Sequence, residues 1–257
     1  MKLTILGSGS AYGTPMIFNQ WHNSNPQNPK NQRTRPSLFL EIENKHILID
    51  ASPDLRLQIN TNNINNIDAV FLTHGHYDHI CGIPELPRAC KLLGHGINLY
   101  ASTETLNEVQ NCYGYLFNTQ AEAEPDLKSL NWITIPNCGR FEALGLKFQA
   151  LQVHHHNLCP SAYRYNNFAY VPDWETIDED MLSSLSGLDL LVIECNNGLV
   201  TEKNGHSDIN NIKKLVEIIK PQEVILTHLS ARVDYDELSS YIPKNFTVAY
   251  DGLSLNI

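Results

Sequence analysis

Short apolar runs recur along the chain and are separated by polar segments rich in glycine, asparagine and proline. Runs of four to eight residues bounded by such turn signals are typical of buried β-strands. They predict strands at residues 3–6, 38–42, 47–50, 97–100, 132–135, 147–153, 162–165, 168–171 and 188–195. The Asn166-Asn167 pair between two of these runs indicates a tight hairpin.

Helical periodicity predicts three longer segments, at residues 102–117, 175–186 and 207–220. In the last, apolar side chains recur on one face, with Ser207 predicted as N-cap and Pro221 as the stop. Because strands dominate but alternate with helices, the pattern favours an α/β sandwich over an all-β fold.

Two apolar runs end in the same three letters. Residues 70–74 read Val-Phe-Leu-Thr-His and residues 224–228 read Val-Ile-Leu-Thr-His. Each predicts a buried strand with a histidine at its carboxyl end, where α/β proteins tend to place ligands. His74 and His228 are therefore candidates for one common site.

Composition and charge narrow the class of protein. The chain has 257 residues, 42% of them hydrophobic, and no segment has the composition of a linker between domains. We therefore expect one domain over residues 1–257. No signal peptide pattern and no membrane-length apolar run is present, which favours a cytoplasmic protein. The six cysteines form no C-x-x-C pair and fit reduced thiols. A net charge of −10 argues against a nucleic-acid partner.

Residues 73–79 read Thr-His-Gly-His-Tyr-Asp-His and contain four metal-ligand side chains, which are His74, His76, Asp78 and His79. Imidazole and carboxylate together suit Zn²⁺, Mn²⁺ or Fe²⁺. One loop cannot complete two coordination shells, so further ligands must come from elsewhere. The best placed are the triplet at residues 154–156, His228, and Asp173 at the end of a predicted strand.

Taken together, these blocks resemble the metallo-β-lactamase superfamily, in which a His-x-His-x-Asp-His loop, a later His, a later Asp and a final His hold two metals. The resemblance covers the full length, through LTILGSGSAYGTP, ILIDAS, FLTHGHYDH, VHHHN, AYRYNNFAYVPD, GHSD, VILTHLS and VAYDGL. It is strongest to the branch of phosphoribosyl 1,2-cyclic phosphate phosphodiesterases, the PhnP family. It implies a four-layer αββα sandwich.

The resemblance also implies a role for individual residues. One metal would be held by His74, His76 and His155, and the other by Asp78, His79 and His228, with Asp173 between them. Asp50 would orient a ligand histidine. The catalytic residues would be Asp78 and His206, the latter as a proton donor or phosphate contact beside a helix N-terminus.

This sequence departs from the PhnP-like relatives at one place. Those carry cysteines after the first strand and a histidine three residues beyond the last ligand, which form a structural zinc site. Here residues 18–25 contain no cysteine and the corresponding later position is Ala231. We therefore expect no structural zinc.

The function implied is a metal-dependent phosphodiesterase that opens small cyclic phosphate esters, with two divalent ions, Mn²⁺ or Zn²⁺, activating water. Arg33, Arg35 and Arg164 are candidates for binding the second phosphate of the substrate, since guanidinium forks match its oxygens. A homodimer is compatible with the sequence. Open alternatives are a tRNA 3′-end endonuclease, a lactonase, a thioesterase, or a metal-binding accessory protein without catalysis. A further hypothesis is that residues 102–130 cover the site.

Overall fold

The computed structural model describes residues 1–117 and 130–257, which form two seven-stranded sheets. The first sheet has the order β14-β1-β2-β3-β4-β5-β6, and the second has the order β13-β12-β11-β10-β9-β8-β7. Both are mixed, with β3 to β6 parallel in the first and β10 to β13 parallel in the second. The strands are β1 Lys2–Gly7, β2 Ser37–Ile42, β3 Lys45–Ile49, β4 Ala69–Phe71, β5 Ile97–Ala101, β6 Leu130–Thr134, β7 Gly139–Ala143, β8 Leu146–Gln152, β9 Ser161–Tyr165, β10 Phe168–Val171, β11 Leu190–Glu194, β12 Glu223–Thr227, β13 Phe246–Val248 and β14 Ser254–Asn256.

Seven α-helices lie in the described part of the chain. They are α1 Leu55–Thr61, α2 Tyr77–Ile80, α3 Leu86–Leu93, α4 Thr103–Tyr113, α5 Glu179–Leu182, α6 Ile209–Ile219 and α7 Tyr235–Tyr241. None of these helices has the length and apolar character that crossing a membrane requires.

Three apolar clusters show how the layers stack. The central cluster lies between the two sheets and includes Phe71 and Tyr163. A second cluster joins the first sheet to its helices through residues such as Leu86 and Val109, and a third joins the second sheet to α6 through Ile212. Each sheet is thus covered by the other sheet on one face and by helices on the other. The predicted αββα sandwich is confirmed.

The predicted hairpin is confirmed, because β9 and β10 pair in antiparallel register across Asn166-Asn167. The sequence reading missed β7, β13 and β14, and also α1, α3 and α7. β13 and β14 are three residues long and lie at sheet edges, and runs that short have little periodicity to detect.

Two helix predictions need correction. The helix predicted at residues 175–186 is reduced to α5 and a following 3₁₀ turn, because Glu175 and Thr176 form backbone hydrogen bonds with His154 instead. The N-cap of α6 is Asp208, whose carboxylate accepts from the amides of residues 210 and 211. Ser207 is turned away and donates its hydroxyl to the Trp174 carbonyl.

Candidate metal centre

The candidate ligands lie where strand ends from both sheets meet. His74 follows β4 of the first sheet, and residues 76–79 continue from it into the short helix α2. The second sheet contributes Asp173 after β10, His228 after β12 and His155 in the turn between β8 and β9. Residues more than 150 positions apart in the chain therefore meet in one place, and all but His76 are buried.

Three groups of possible metal ligands lie here among the described residues; one is Glu194, His206 and His228, and the other two comprise seven side chains and share one member. In the first group, each residue offers a ligand atom within 4.8 Å of the others, and the same holds for the second group. The first group is His74, His76, His155 and Asp173, and the second is Asp78, His79, Asp173 and His228. These are the seven residues that the sequence analysis singled out.

Asp173 directs one carboxylate oxygen at each group. Its Oδ1 is 3.0 Å from His228 Nε2 and 3.6 Å from His79 Nε2, and its Oδ2 is 3.8 Å from His155 Nε2 and 4.0 Å from His74 Nε2. Most of these separations exceed a hydrogen bond. They approach the ~3.4 Å between ligands that each stand ~2.1 Å from a common tetrahedral ion.

Neighbouring groups fix the orientation of the imidazoles. The buried carboxylate of Asp50 accepts from Thr73 N and Thr73 Oγ1 and lies 2.7 Å from His79 Nδ1, so His79 Nε2 faces the site. His155 Nδ1 donates to the Gly205 carbonyl at 2.6 Å, which turns its Nε2 toward Asp173. A carboxylate or carbonyl behind a metal-binding imidazole fixes both its tautomer and its direction. Asp50 is thus placed where the sequence analysis expected it.

Burial and close charges shift the pKa values of the groups in this centre, and two of its buried atoms have no hydrogen-bond partner. Burial would raise the pKa of Asp173, but the imidazoles of His228 and His79 outweigh burial and hold that pKa well below its usual range. Burial lowers the pKa of His155 to about 4. His79 Nε2 and Asp173 Oδ1 are fully buried without a hydrogen-bond partner. Orphaned atoms of this kind, aimed at a common point, are what divalent cations would satisfy, so the donor set fits two such ions.

A cavity of about 490 Å³ opens onto the centre. This volume is typical of a site that binds a small molecule. His206 lines it, with Nδ1 3.4 Å from Oε1 of the fully buried Glu194. Glu194 also accepts from the Asn196 amide at 2.7 Å. The predicted proton donor therefore stands at the cavity, with a carboxylate behind its ring.

None of Arg33, Arg35 and Arg164 is among the described residues that line the cavity, and their role in binding substrate stays a prediction. Arg33 is buried, with its guanidinium donating to Asn31 Oδ1 and the Ser230 carbonyl. Arg35 pairs with Asp54 at 3.0 Å. Arg164 donates to the carbonyls of residues 166, 184 and 186, beside the β9–β10 hairpin at the other end of the sheet.

Sequence reasoning missed other residues at the cavity. Its lining also includes Arg232, Asn196 and Asn197. The carboxylate of Glu194 lies 3.4 Å from His206 Nδ1, on the buried side of that ring. A carboxylate at the end of a buried apolar run could have pointed to Glu194, by the same logic that identified Asp173. Nothing in the local sequence around Arg232 distinguishes it from an exposed arginine.

The hypothesis that residues 102–130 cover the site falls partly outside the described residues. In the part described, α4 begins at a Ser102 cap, and Phe117 stacks on Trp132 with 4.0 Å between ring centroids. Both aromatic rings pack against the helix-covered face of the first sheet, as core residues do.

Comparison with known proteins adds a family and several relatives. A model described as "Beta-lactamase superfamily domain" matches residues 45–229. A crystal structure of a new diphosphatase from the PhnP family superimposes with a TM-score of 0.89 at 28% identity, covering 100% of this chain and 97% of that one.

Two curated relatives carry different names. An octanoyltransferase of Porphyromonas gingivalis is 28% identical over 257 residues, which is 98% of this chain and 51% of that protein. A ribonuclease Z of Methanococcus maripaludis is 27% identical over 118 residues, 44% of this chain and 33% of its own length. The chain therefore spans about half of the length of the first relative and a third of the second.

The histidine triplet offers a direct test of the centre. His155→Ala should lose bound metal, because His155 Nε2 faces Asp173 from a buried position, whereas His154 Nε2 pairs at 3.0 Å with Asp178 on the exposed side. Elemental analysis of protein purified without chelator measures this. His154→Ala, the matched control, should keep the metal content of the unaltered protein. Loss of metal in the control but not in His155→Ala would show that this ligand assignment is wrong.

Proposed function

We propose, from the premise that this chain belongs to the metallo-β-lactamase superfamily, that it is a dinuclear metal-dependent phosphodiesterase acting on small phosphate esters. The observation that carries the proposal is the position of Asp173. Each of its carboxylate oxygens faces a separate group of three further ligands, as a residue shared by two cations would. A purely structural ion needs one closed shell and no open cavity beside it.

The donor set indicates which cations would bind. Imidazoles with carboxylates favour Zn²⁺ or Mn²⁺ over the oxygen-only environment of Ca²⁺. When bound, two such ions would activate water near neutral pH and neutralise charge on the phosphoryl oxygens. His74, His76 and His155 would hold one ion and Asp78, His79 and His228 the other, with Asp173 common to both.

The protein itself supplies the proton for the leaving group. Glu194 faces His206 Nδ1, which leaves Nε2 of the same ring for the substrate in the cavity. The carboxylate of Glu194, 3.4 Å from Nδ1, orients the ring from its buried side. Donation from Nε2 to the departing alkoxide completes the cleavage of the ester.

Similarity to proteins that act at phosphorus supports this substrate class. The names diphosphatase and ribonuclease both describe cleavage at phosphorus, and the diphosphatase structure matches over the whole of this chain. Within the class we propose a small ester, because the cavity of about 490 Å³ holds a small molecule, and a cyclic phosphate in particular because of the resemblance to the PhnP-like branch. The net charge of −10 disfavours a long nucleic acid, and with it the tRNA endonuclease alternative.

A second candidate is hydrolysis of an acyl thioester. It is favoured by the octanoyltransferase of Porphyromonas gingivalis, whose alignment covers 98% of this chain. Because the chain spans 51% of that protein, the other half is an equally good location for the acyl transfer its name describes. No feature of the described residues and no relative named above favours lactone hydrolysis.

The two candidates differ in which substrates are turned over. We expect protein loaded with Mn²⁺ or Zn²⁺ to hydrolyse bis(p-nitrophenyl) phosphate and a 2′,3′-cyclic nucleotide, and to leave an octanoyl thioester and a lactone intact. Release of nitrophenolate, phosphate monoester and thiol measures these reactions. Chelation should abolish the phosphodiester activity and added metal should restore it. Thioester turnover without phosphodiester turnover would contradict the proposal, and binding of metal without any turnover would favour an accessory protein.

A proton donor at His206 makes a prediction about leaving groups. His206→Ala should keep its metals but lose on the order of 10²–10⁴ in kcat on a phosphodiester with an alkoxide leaving group. The loss should be much smaller with a nitrophenolate leaving group, which scarcely needs a proton. Steady-state kinetics on both substrates gives the comparison, with His156→Ala at the same cavity as a control. Equal losses on both substrates would show that His206 binds substrate rather than donating a proton.

A further inference from the structure

Among the five candidate ligand imidazoles, that of His76 has the least support from its surroundings. Each of the other four has a ring nitrogen beside a group outside the ligand set: Thr73 Oγ1 for His74, Asp50 for His79, the Gly205 carbonyl for His155 and Asn196 for His228. In the described part of the chain, the hydrogen-bond partner of the His76 ring is Nε2 of His74, which is itself a ligand atom. His76 is also the one member of the seven that is not buried. The direction of its ring therefore depends on the backbone that precedes it.

The residue before His76 is Gly75, and Glu108 fills the space where a side chain would be. A Cβ built on Gly75 would lie 2.7 Å from both Cβ and Cδ of Glu108, and closer still to its Oε2. Carbon atoms that are not bonded to one another pack at about 3.5–4.0 Å. Gly75 is not among the glycines with a positive φ. The glycine is therefore required by this close approach and not by the conformation of its own backbone.

Glu108 projects from α4, a helix that is fixed independently of the metal loop. Ser102 caps α4 by accepting from the amide of Thr105, and Val109, the neighbour of Glu108, is buried in the apolar cluster that joins the first sheet to its helices. β5 leads directly into α4, and β5 pairs with β4, the strand that ends at the metal loop. Because Cβ of Glu108 can move only with this helix, its contact with Gly75 restrains the loop.

The contact between Glu108 and Gly75 is polar as well as steric. Burial raises the pKa of Glu108 and the nearby carboxylate of Glu104 raises it further, while a hydrogen bond from the backbone of Gly75 opposes both. Glycine has more backbone freedom than any other residue, so a glycine between two metal ligands would by itself make the loop mobile. The side chain of Glu108 removes that freedom.

We propose that Glu108 is a positioning residue for the metal centre, which holds Gly75 in place so that His76 reaches the ion of the first ligand group. The proposal rests on the proposed function in that it takes two ions to be bound, but it does not depend on the reaction. It implies that the two ions differ in their dependence on α4. The ion of the second group should not require Glu108, because each imidazole of that group has its own supporting partner.

Competition between the metal-free protein and a chromophoric chelator measures the two dissociation constants for Zn²⁺ and tests this. Glu108→Ala should weaken one of them by about 10- to 100-fold, the range for loss of a group that supports a metal ligand, and leave the other within about threefold. Glu108→Gln fills the same space and keeps an oxygen that accepts from Gly75, so both constants should stay within about threefold of the unaltered protein. Anomalous scattering from crystals of Glu108→Ala with one equivalent of Zn²⁺ should place the ion beside His228 and not beside His76.

The matched control is Glu104→Ala, since Glu104 is an exposed carboxylate one turn earlier on α4. It should leave both dissociation constants unchanged. Gly75→Ala offers a second route to the same defect, because its Cβ would displace Glu108, and it should weaken the same ion as Glu108→Ala.

A general loss of stability would weaken both ions together and would not be corrected by glutamine. Equal weakening of both ions in Glu108→Ala, no weakening of either, or failure of Glu108→Gln to retain the affinity overturns the proposal. Because the titration requires no turnover, failure to hydrolyse bis(p-nitrophenyl) phosphate would contradict the proposed function without affecting this result.

Discussion

The carboxylate of Asp173, buried between two groups of imidazoles, is the constraint on which the rest of the site depends. Its side chain is 3% exposed, and Oδ1 has no hydrogen-bond partner although His228 and His79 lie near it. A buried carboxylate is costly unless opposite charge and directed donors compensate it. Against the effect of burial, the carboxylates of Asp173 and Asp78 raise the pKa of His228 to about 10, whereas burial holds the pKa of His74 well below its usual range. Two divalent cations would balance carboxylates and imidazoles together.

The fold explains why these charges meet. Parallel strands from both sheets end at the same edge, so β4, β10 and β12 deliver His74, Asp173 and His228 to one point. The apolar cluster between the sheets, with Phe71 and Tyr163 at its centre, fixes their separation. Tyr163 also donates to the Leu72 carbonyl at 2.6 Å, which joins the two sheets directly beneath the metal loop. The geometry of the ligands thus depends on packing well away from them.

The sequence allowed prediction of residues whose position follows from local spacing. Six consecutive positions contain His74, His76, Asp78 and His79. The repeated Leu-Thr-His sequence predicted that His228 lies at the end of a strand. Asp173 and His155 needed the family resemblance, because their neighbours along the chain do not reveal which strand ends converge. The position of the arginine side chains could not be predicted, since a long flexible side chain has many partners within reach. Arg33 and Arg164 bind backbone carbonyls, while Arg232, with no distinctive local pattern, lines the cavity.

The central claim is that Asp173 is shared by two metal ions, and anomalous X-ray scattering from crystals of the Mn²⁺- or Zn²⁺-loaded protein tests it most directly. The account predicts two anomalous peaks about 3.5–4 Å apart, the usual spacing of a two-metal site. One peak should lie beside Asp173 Oδ2, near His74, and the other beside Oδ1, near His228. A single peak at saturating metal, or two peaks that do not flank this carboxylate, would contradict the account.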